Sequence, residues 1–400
     1  MKAAGIVAEY NPFHTGHGHQ IAATRAALGQ DWAVVAVMSG NWVQQGECAV
    51  ADKWTRTRLA LMGGVDLVLE LPTVWAASTA QSFARGAVSL LNACGVVERL
   101  SFGSECGRIE PMEALARCLC TPDYDSRVRE LVSGGESFAV CRQQAAAELL
   151  GEDTAQLLAT PNNNLGVEYI CALHQLGSAI RPMTVLRQGA GHNTTGQTAP
   201  FVSATQIRGE LAQNNWDRVR PYLPEGGQAV LEGHTLRQPG LEVVERAVLA
   251  RLRTMAAADW AELPDSGAAE GLTQRLERAG RSCTCLDEFF ALAKTKRYTH
   301  ARLARLLLWA WLGLRASDVP ASPPYIRVLG FNGRGRELLR QMKDRATLPI
   351  LTKPAHARQL DGVGRGLFEL ESRCTDLYDL CFDRVPAPGR EWSHDPVILL

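Results

Sequence analysis

His14 and His17 stand three residues apart in His14-Thr15-Gly16-His17, directly after an apolar run (Ala3 to Ala8) and the turn Glu9-Tyr10-Asn11-Pro12-Phe13. That order implies a strand, a tight turn and the start of a helix. A helix N-terminus exposes unpaired backbone N–H groups and about half a positive charge, so it attracts phosphate. Imidazoles placed there can hydrogen-bond phosphate oxygens as charge develops on them. The pattern implies attack on an α-phosphate with loss of pyrophosphate. Two histidines at this spacing could instead begin a metal site, with His19 as the local third candidate. Zinc takes three or four ligands, and no acidic or cysteine side chain falls at metal spacing nearby, so no metal ligand is assigned.

A second candidate is Ser203-Ala204-Thr205-Gln206-Ile207-Arg208. Helix capping explains Ser203 and Thr205. A helix N-terminus with two hydroxyls and a guanidinium one turn later also has what a β,γ-phosphate clamp requires.

Positioning these groups takes an alternating fold. Ala33 to Met38 is a continuous apolar run suited to a buried parallel strand, Val65 to Pro72 another, and Arg99 to Gly103 a fourth strand after the one ending at Ala8. Helical spacing runs between them, from Asp52 to Met62 and from Ser78 to Cys94. Strands alternating with helices predict a doubly wound parallel sheet. Ligands bind such sheets at the carboxyl ends of the strands, where His14, Ser39-Gly40-Asn41 and Gly103-Ser104-Glu105 all fall. Pro111 to Gly177 is mainly helical, with an Asn-rich turn at Thr160 to Gly166 before a helix from Val167 to Leu176. Ile180 to Arg187 is a further short strand that aims Arg187 at the strand ends. From Pro224 the strand alternation stops. Thr299 to Leu314 forms a helix carrying Arg302 and Arg305, and Tyr325 to Arg340 supplies glycine-rich backbone and charge.

The chain has 400 residues, 46% of them hydrophobic and 21% charged, as in ordinary globular enzymes of two or three domains. Net charge is zero, yet Gly271 to Arg345 holds 15 Lys and Arg against 6 Asp and Glu. That local excess suits either a polyanion surface or solvated helix faces. The eleven cysteines are scattered, with Cys118/Cys120 and Cys283/Cys285 at poor zinc spacing. No signal peptide and no apolar run of about 18 residues is evident, so a cytoplasmic protein with free thiols and no membrane contact is expected.

His14-Thr15-Gly16-His17 paired with Ser203 to Arg208 resembles the nucleotidylyltransferase superfamily, relatives of class I aminoacyl-tRNA synthetases. More narrowly, Ile6 to His14, Ser39 to Gln44, Asp66 to Pro72, Phe102 to Glu105, Pro161-Asn162-Asn163, Ser203 to Arg208 and Thr295 to Thr299 resemble the bacterial tRNA(Met) cytidine acetate ligase family. The resemblance implies a Rossmann-like α/β catalytic domain (1–224) and a mainly helical C-terminal domain (225–400). It implies that ATP activates acetate as acetyladenylate, and that the acetyl group passes to the wobble cytidine of elongator tRNA(Met). His14 and His17 would be catalytic. Val7, Ala8, Glu9, Tyr10, Asn11, Pro12, Phe13, Thr15, Gly16, Gly18, His19, Gln20, Gly103, Asn162, Arg187, Ser203, Thr205 and Arg208 would hold ATP, which would bring its own Mg²⁺. Lys294, Lys296, Arg297 and Arg302 would contact tRNA. Lys53 and Arg56 are further candidates for phosphate or RNA, or else helix-surface charges. Gln45 stands where many relatives carry Arg, which puts one cationic contact in doubt. A small-molecule adenylyltransferase acting on a phosphorylated cofactor precursor, and a catalytically silent RNA-binding protein, are the alternatives.

Overall fold

The computed structural model of the protein describes residues 1–134, 136–188, 201–232 and 239–400. Five parallel strands, β1 (Ala3–Ala8), β2 (Ala33–Ser39), β3 (Leu67–Leu71), β4 (Val97–Ser104) and β5 (Arg181–Leu186), lie in the order β5-β4-β1-β2-β3. The chain moves outward from β1 to β3 and then returns on the other side of β1 as β4. Strand order therefore reverses between β1 and β4, the switch point where doubly wound sheets bind ligands. All seven residues of β2 are buried, because helices cover both faces. A strand so placed is apolar throughout rather than alternating.

The helix expected after β1 is α1 (Thr15–Leu28), and those expected after β2 and β3 are Lys53–Met62 and Ala80–Ala93. Asp66 ties three elements together. Its Oδ2 accepts from Arg25 of α1 at 2.7 Å and from the Val34 N–H at 2.8 Å, and its Oδ1 accepts from Asn332 at 2.9 Å.

Two expectations need correction. Residues 161–166 are not a turn but the opening of helix Pro161–Gln175. Pro161 takes a first-turn position where its missing N–H costs nothing. The Glu105 carboxylate then accepts the N–H groups of Asn162 at 3.2 Å and Asn163 at 2.8 Å, satisfying two of the helix's free donors. Strand pairing also does not stop at Pro224. β6 (Ile326–Phe331) lies antiparallel beside β3, and β7 (Ile350–Leu351) and β8 (Val397–Ile398) pair with β6. Tyr325 to Arg340 is thus a buried strand, with Arg327 inside it, followed by helix Gly333–Arg345, whose Arg334, Arg336 and Arg340 stay exposed. Residues 225–400 are mainly helical but complete the same sheet.

Lys53 and Arg56 are buried, and neither is a surface charge nor open to RNA. Lys53 Nζ lies 2.6 Å from Glu70 and 2.5 Å from Glu391, with both acids nearly inaccessible. Burial pulls the Lys53 pKa down, but Glu391 and Glu70 outweigh it and hold the ammonium charged. Arg56 donates to the carbonyls of Ala51, Glu9, Ser39 and Gly40, fixing the loops that follow β1 and β2.

Candidate active site

β1 ends at Ala8, and the next five residues turn the chain so that His14 becomes the N-cap of α1. The Gly16 N–H donates to His14 Nδ1 at 3.0 Å, and the His14 N–H donates to His17 Nδ1 at 3.2 Å. The two imidazoles therefore form a reciprocal cap, the arrangement usually built from Ser and Glu. Since each Nδ1 accepts a proton already held by backbone, each neutral ring carries its own proton on Nε2. Burial, followed by the charge of Arg187, pushes His14 down to about 4. Burial, then His14 and Arg187, holds His17 well below the usual imidazole range. Both rings are neutral N–H donors at pH 7. Thr15 Oγ1, at the first residue of α1, is buried without a partner and adds a hydroxyl to the same helix end.

His17 is held by rings on three sides. The centroid of His14 lies 3.8 Å away, that of Tyr10 4.9 Å and that of Phe13 5.5 Å. Phe13 in turn packs against Gly63, where an added Cβ would stand 2.1 Å from the ring. Asn11 Oδ1 accepts from the Val50 N–H at 2.6 Å, anchoring the turn. Tyr10, Asn11 and Phe13 are buried and buttress the histidines from below.

One cleft collects His14, Gly16, His17, His19, Gln20, Gly103, Arg187 and Ser203, with Phe201 beside His19. Gly103 matters here, since a Cβ on it would come within 3.2 Å of the Arg187 side chain. Arg187 donates to Asn162 Oδ1 at 3.3 Å, and Asn162 donates to Glu105 at 2.6 Å. Ser203 caps helix Ala204–Ala212 by accepting the Gln206 N–H at 3.1 Å. One turn on, Arg208 donates to the Asn11 carbonyl at 2.9 Å and to Thr205 Oγ1 at 3.2 Å, linking this second helix end to the turn before α1. Thr205 and Arg208 thus approach the site through the turn and do not line the cleft. Among the described residues, no group of three or more His, Cys, Asp or Glu could hold a metal ion.

The chain matches the HIGH Nucleotidyl Transferase family over residues 1–390. The tRNA(Met) cytidine acetate ligase of Caldanaerobacter subterraneus subsp. tengcongensis is 36% identical over 408 residues, covering both chains fully. This chain belongs to that ligase family. The namesake enzyme of Thermoanaerobacter sp. (strain X514) is 34% identical over 411 residues, again with full coverage of both. Among solved structures, apo Thermotoga maritima TmcAL superposes with a TM-score of 0.93 at 34% identity over all of both chains. The same protein bound with alpha-thio ATP gives 0.90 at the same identity and coverage.

Within this ligase fold, the residues expected to meet tRNA differ in availability. Lys294, Lys296 and Arg297 are exposed. Arg302 is committed elsewhere: its side chain is 17% exposed, 3.2 Å from Asp265 and 3.3 Å from Glu270. It lines a larger cleft of about 1020 Å³, separate from the histidines, between helix Pro161–Gln175 and the start of helix His300–Leu312. The histidine cleft is smaller and holds the paired neutral donors at the sheet's switch point. Sequence reasoning gave no role to Glu105 or Asn163. Asn163 is 3% exposed, and its Oδ1 accepts the N–H groups of Glu105 and Cys106, shaping the end of β4. Three consecutive asparagines, Asn162 to Asn164, and an acid directly after a strand were the available signal.

Proposed function

We propose that this member of the ligase family uses ATP to activate acetate and transfers the acetyl group to the wobble cytidine of elongator tRNA(Met), forming N4-acetylcytidine. The carrying observation is the reciprocal cap of His14 and His17, which aims two neutral Nε2–H groups from a helix N-terminus at the sheet's switch point. Acetate is already an anion, so its attack on the α-phosphorus needs no base. One carboxylate oxygen bonds to phosphorus, the bond to the β-phosphate bridging oxygen breaks, and pyrophosphate leaves. Donors that cannot act as bases suit that step, since charge stabilisation and positioning are all it requires.

His14, His17 and the first turn of α1 meet the α-phosphate and departing charge. Ser203 on the cleft wall meets the distal phosphates, Thr205 and Arg208 brace the turn before α1 from behind, and Gly103, Asn162 and Arg187 flank the nucleoside. Mg²⁺ arrives with the nucleotide. The amine of the cytidine then attacks the acetyl carbonyl and AMP leaves. Residues 1–224 carry the adenylation chemistry, and Lys294, Lys296 and Arg297 contact the tRNA backbone in a salt-dependent way. The ATP analogue bound to the T. maritima relative supports the nucleotide assignment.

Exchange of labelled pyrophosphate into ATP tests the first step. Exchange should require acetate and proceed without tRNA. Exchange that requires phosphopantetheine instead would move the chain to the small-molecule adenylyltransferases, and none from folded protein would favour an RNA-binding role alone.

A further inference from the structure

Helix Pro161–Gln175 separates the two clefts. Asn162 on its first turn bonds Arg187 at the histidine cleft, whereas Asn164, Glu168 and Gln175 on the same helix line the larger one. Asn162 and Asn164 are about 3 Å apart along the axis but on opposite sides of the helix, so about 10–12 Å, one helix width, separates the clefts. The larger cleft is not a simple phosphate trough. Among the described residues five arginines and five carboxylates line it, and several are paired, Arg142 with Glu168 and Arg302 with Asp265 and Glu270. A trough for phosphates would present unmatched cations.

What this cleft offers is aromatic surface together with hydrogen-bond donors and acceptors. Phe138 is 57% exposed on its wall, with the Arg142 guanidinium 5.9 Å from the ring centre. Gln81 Nε2 donates to Glu168 Oε1 at 3.1 Å, leaving the Gln81 carbonyl on the same wall. Unpaired RNA loops are recognised by such sets: bases stack on aromatic or guanidinium planes while polar groups read their edges.

We propose that the larger cleft receives an unstacked base from the same RNA loop that presents the acetylated cytidine to the histidine cleft. Phe138 is the stacking face, and Gln81 with the Arg142–Glu168 pair reads the base edge. This rests on the RNA acceptor assigned under the proposed function, and it adds a second recognition point within that loop.

The test uses the full chain and a fluorescent anticodon stem-loop hairpin with cytidine at the wobble position. A parallel set lacks one loop base at a time. Phe138→Ala should weaken binding of the intact hairpin about tenfold, the scale of one lost base stack. One abasic hairpin should show the same loss with wild-type protein, and variant and abasic site combined should lose no more. Phe138→Ala should leave RNA-free, acetate-dependent pyrophosphate exchange unchanged. Equal hairpin affinity for wild type and variant, or losses that add at every abasic position, would overturn the proposal. Absence of acetate-dependent exchange in the wild type overturns the ligase reading instead, and hairpin binding still decides the cleft.

Discussion

His14 donates its backbone N–H to Nδ1 of His17 at 3.2 Å, so the second histidine caps the first while the first caps the helix they share. Each ring's outward nitrogen is thereby fixed as a donor. Under the proposed function, removing either ring takes away a donor to developing phosphate charge, an effect of about 10²–10³ in rate. His17→Ala is expected to lose acetate-dependent pyrophosphate exchange by that factor while tRNA binding stays within twofold, as filter binding would show. His14→Ala should lose as much activity and also about 1 kcal/mol of stability, because the α1 cap goes with it.

Acid sensitivity follows from the same cap. His14 is pushed down to about 4 in the folded protein by burial and then by Arg187, against about 6.5 in an unfolded chain. Between those values the unfolded chain binds more protons, so stability falls as pH falls from about 6.5 and levels off below about 4. Urea unfolding should show His14 alone costing about 2 kcal/mol between pH 7.5 and 5. A His14→Asn variant, which keeps a capping side chain, should lack that component. The same pH slope in both proteins would contradict the assignment.

Gly63 sets the floor of the site. A methyl group there would stand 2.1 Å from Cε1 of Phe13, whose ring is 2% exposed and packs on His17. Gly63→Ala is expected to cost about 1–3 kcal/mol, the usual range for overpacking. It should lower kcat for exchange more than it raises KM for ATP, because His17 tilts while the cleft stays open. Unchanged kinetics with lost stability would show that Phe13 does not set the position of His17.

Lys53 binds Glu391 at 2.5 Å across 338 residues of sequence, joining the end of the chain to the first half of the sheet. Glu391→Gln should cost about 3–5 kcal/mol, the scale seen when one partner of a buried pair is removed. Thermal unfolding would report it, and a drop below 1 kcal/mol would contradict a structural role for the pair.

The parallel half of the fold was legible because β1 to β4 are local apolar runs, and the helix start at His14 was legible because His14 and His17 sit beside a strand end; that the two rings cap that helix was not. β6 escaped because Arg327 breaks its apolar run, and the compensating Glu391 lies 64 residues away. Lys53 and Arg56 could be read as phosphate contacts or surface charges because most of the groups that neutralise or bond them come from elsewhere: Glu70 of β3, the loops after β1 and β2, and Glu391 of the chain's last helix. The Asn-rich opening of helix Pro161–Gln175 looked like a turn because its cap, Glu105, arrives from the end of β4.

The most direct test of the central claim is transfer of labelled acetate, with ATP, to tRNA(Met) transcripts that differ only at the wobble base. The account predicts label in the cytidine transcript, recovered as N4-acetylcytidine, with none in a uridine transcript and none with His17→Ala. Label in both transcripts, or acetate-dependent exchange with label in neither, would contradict it.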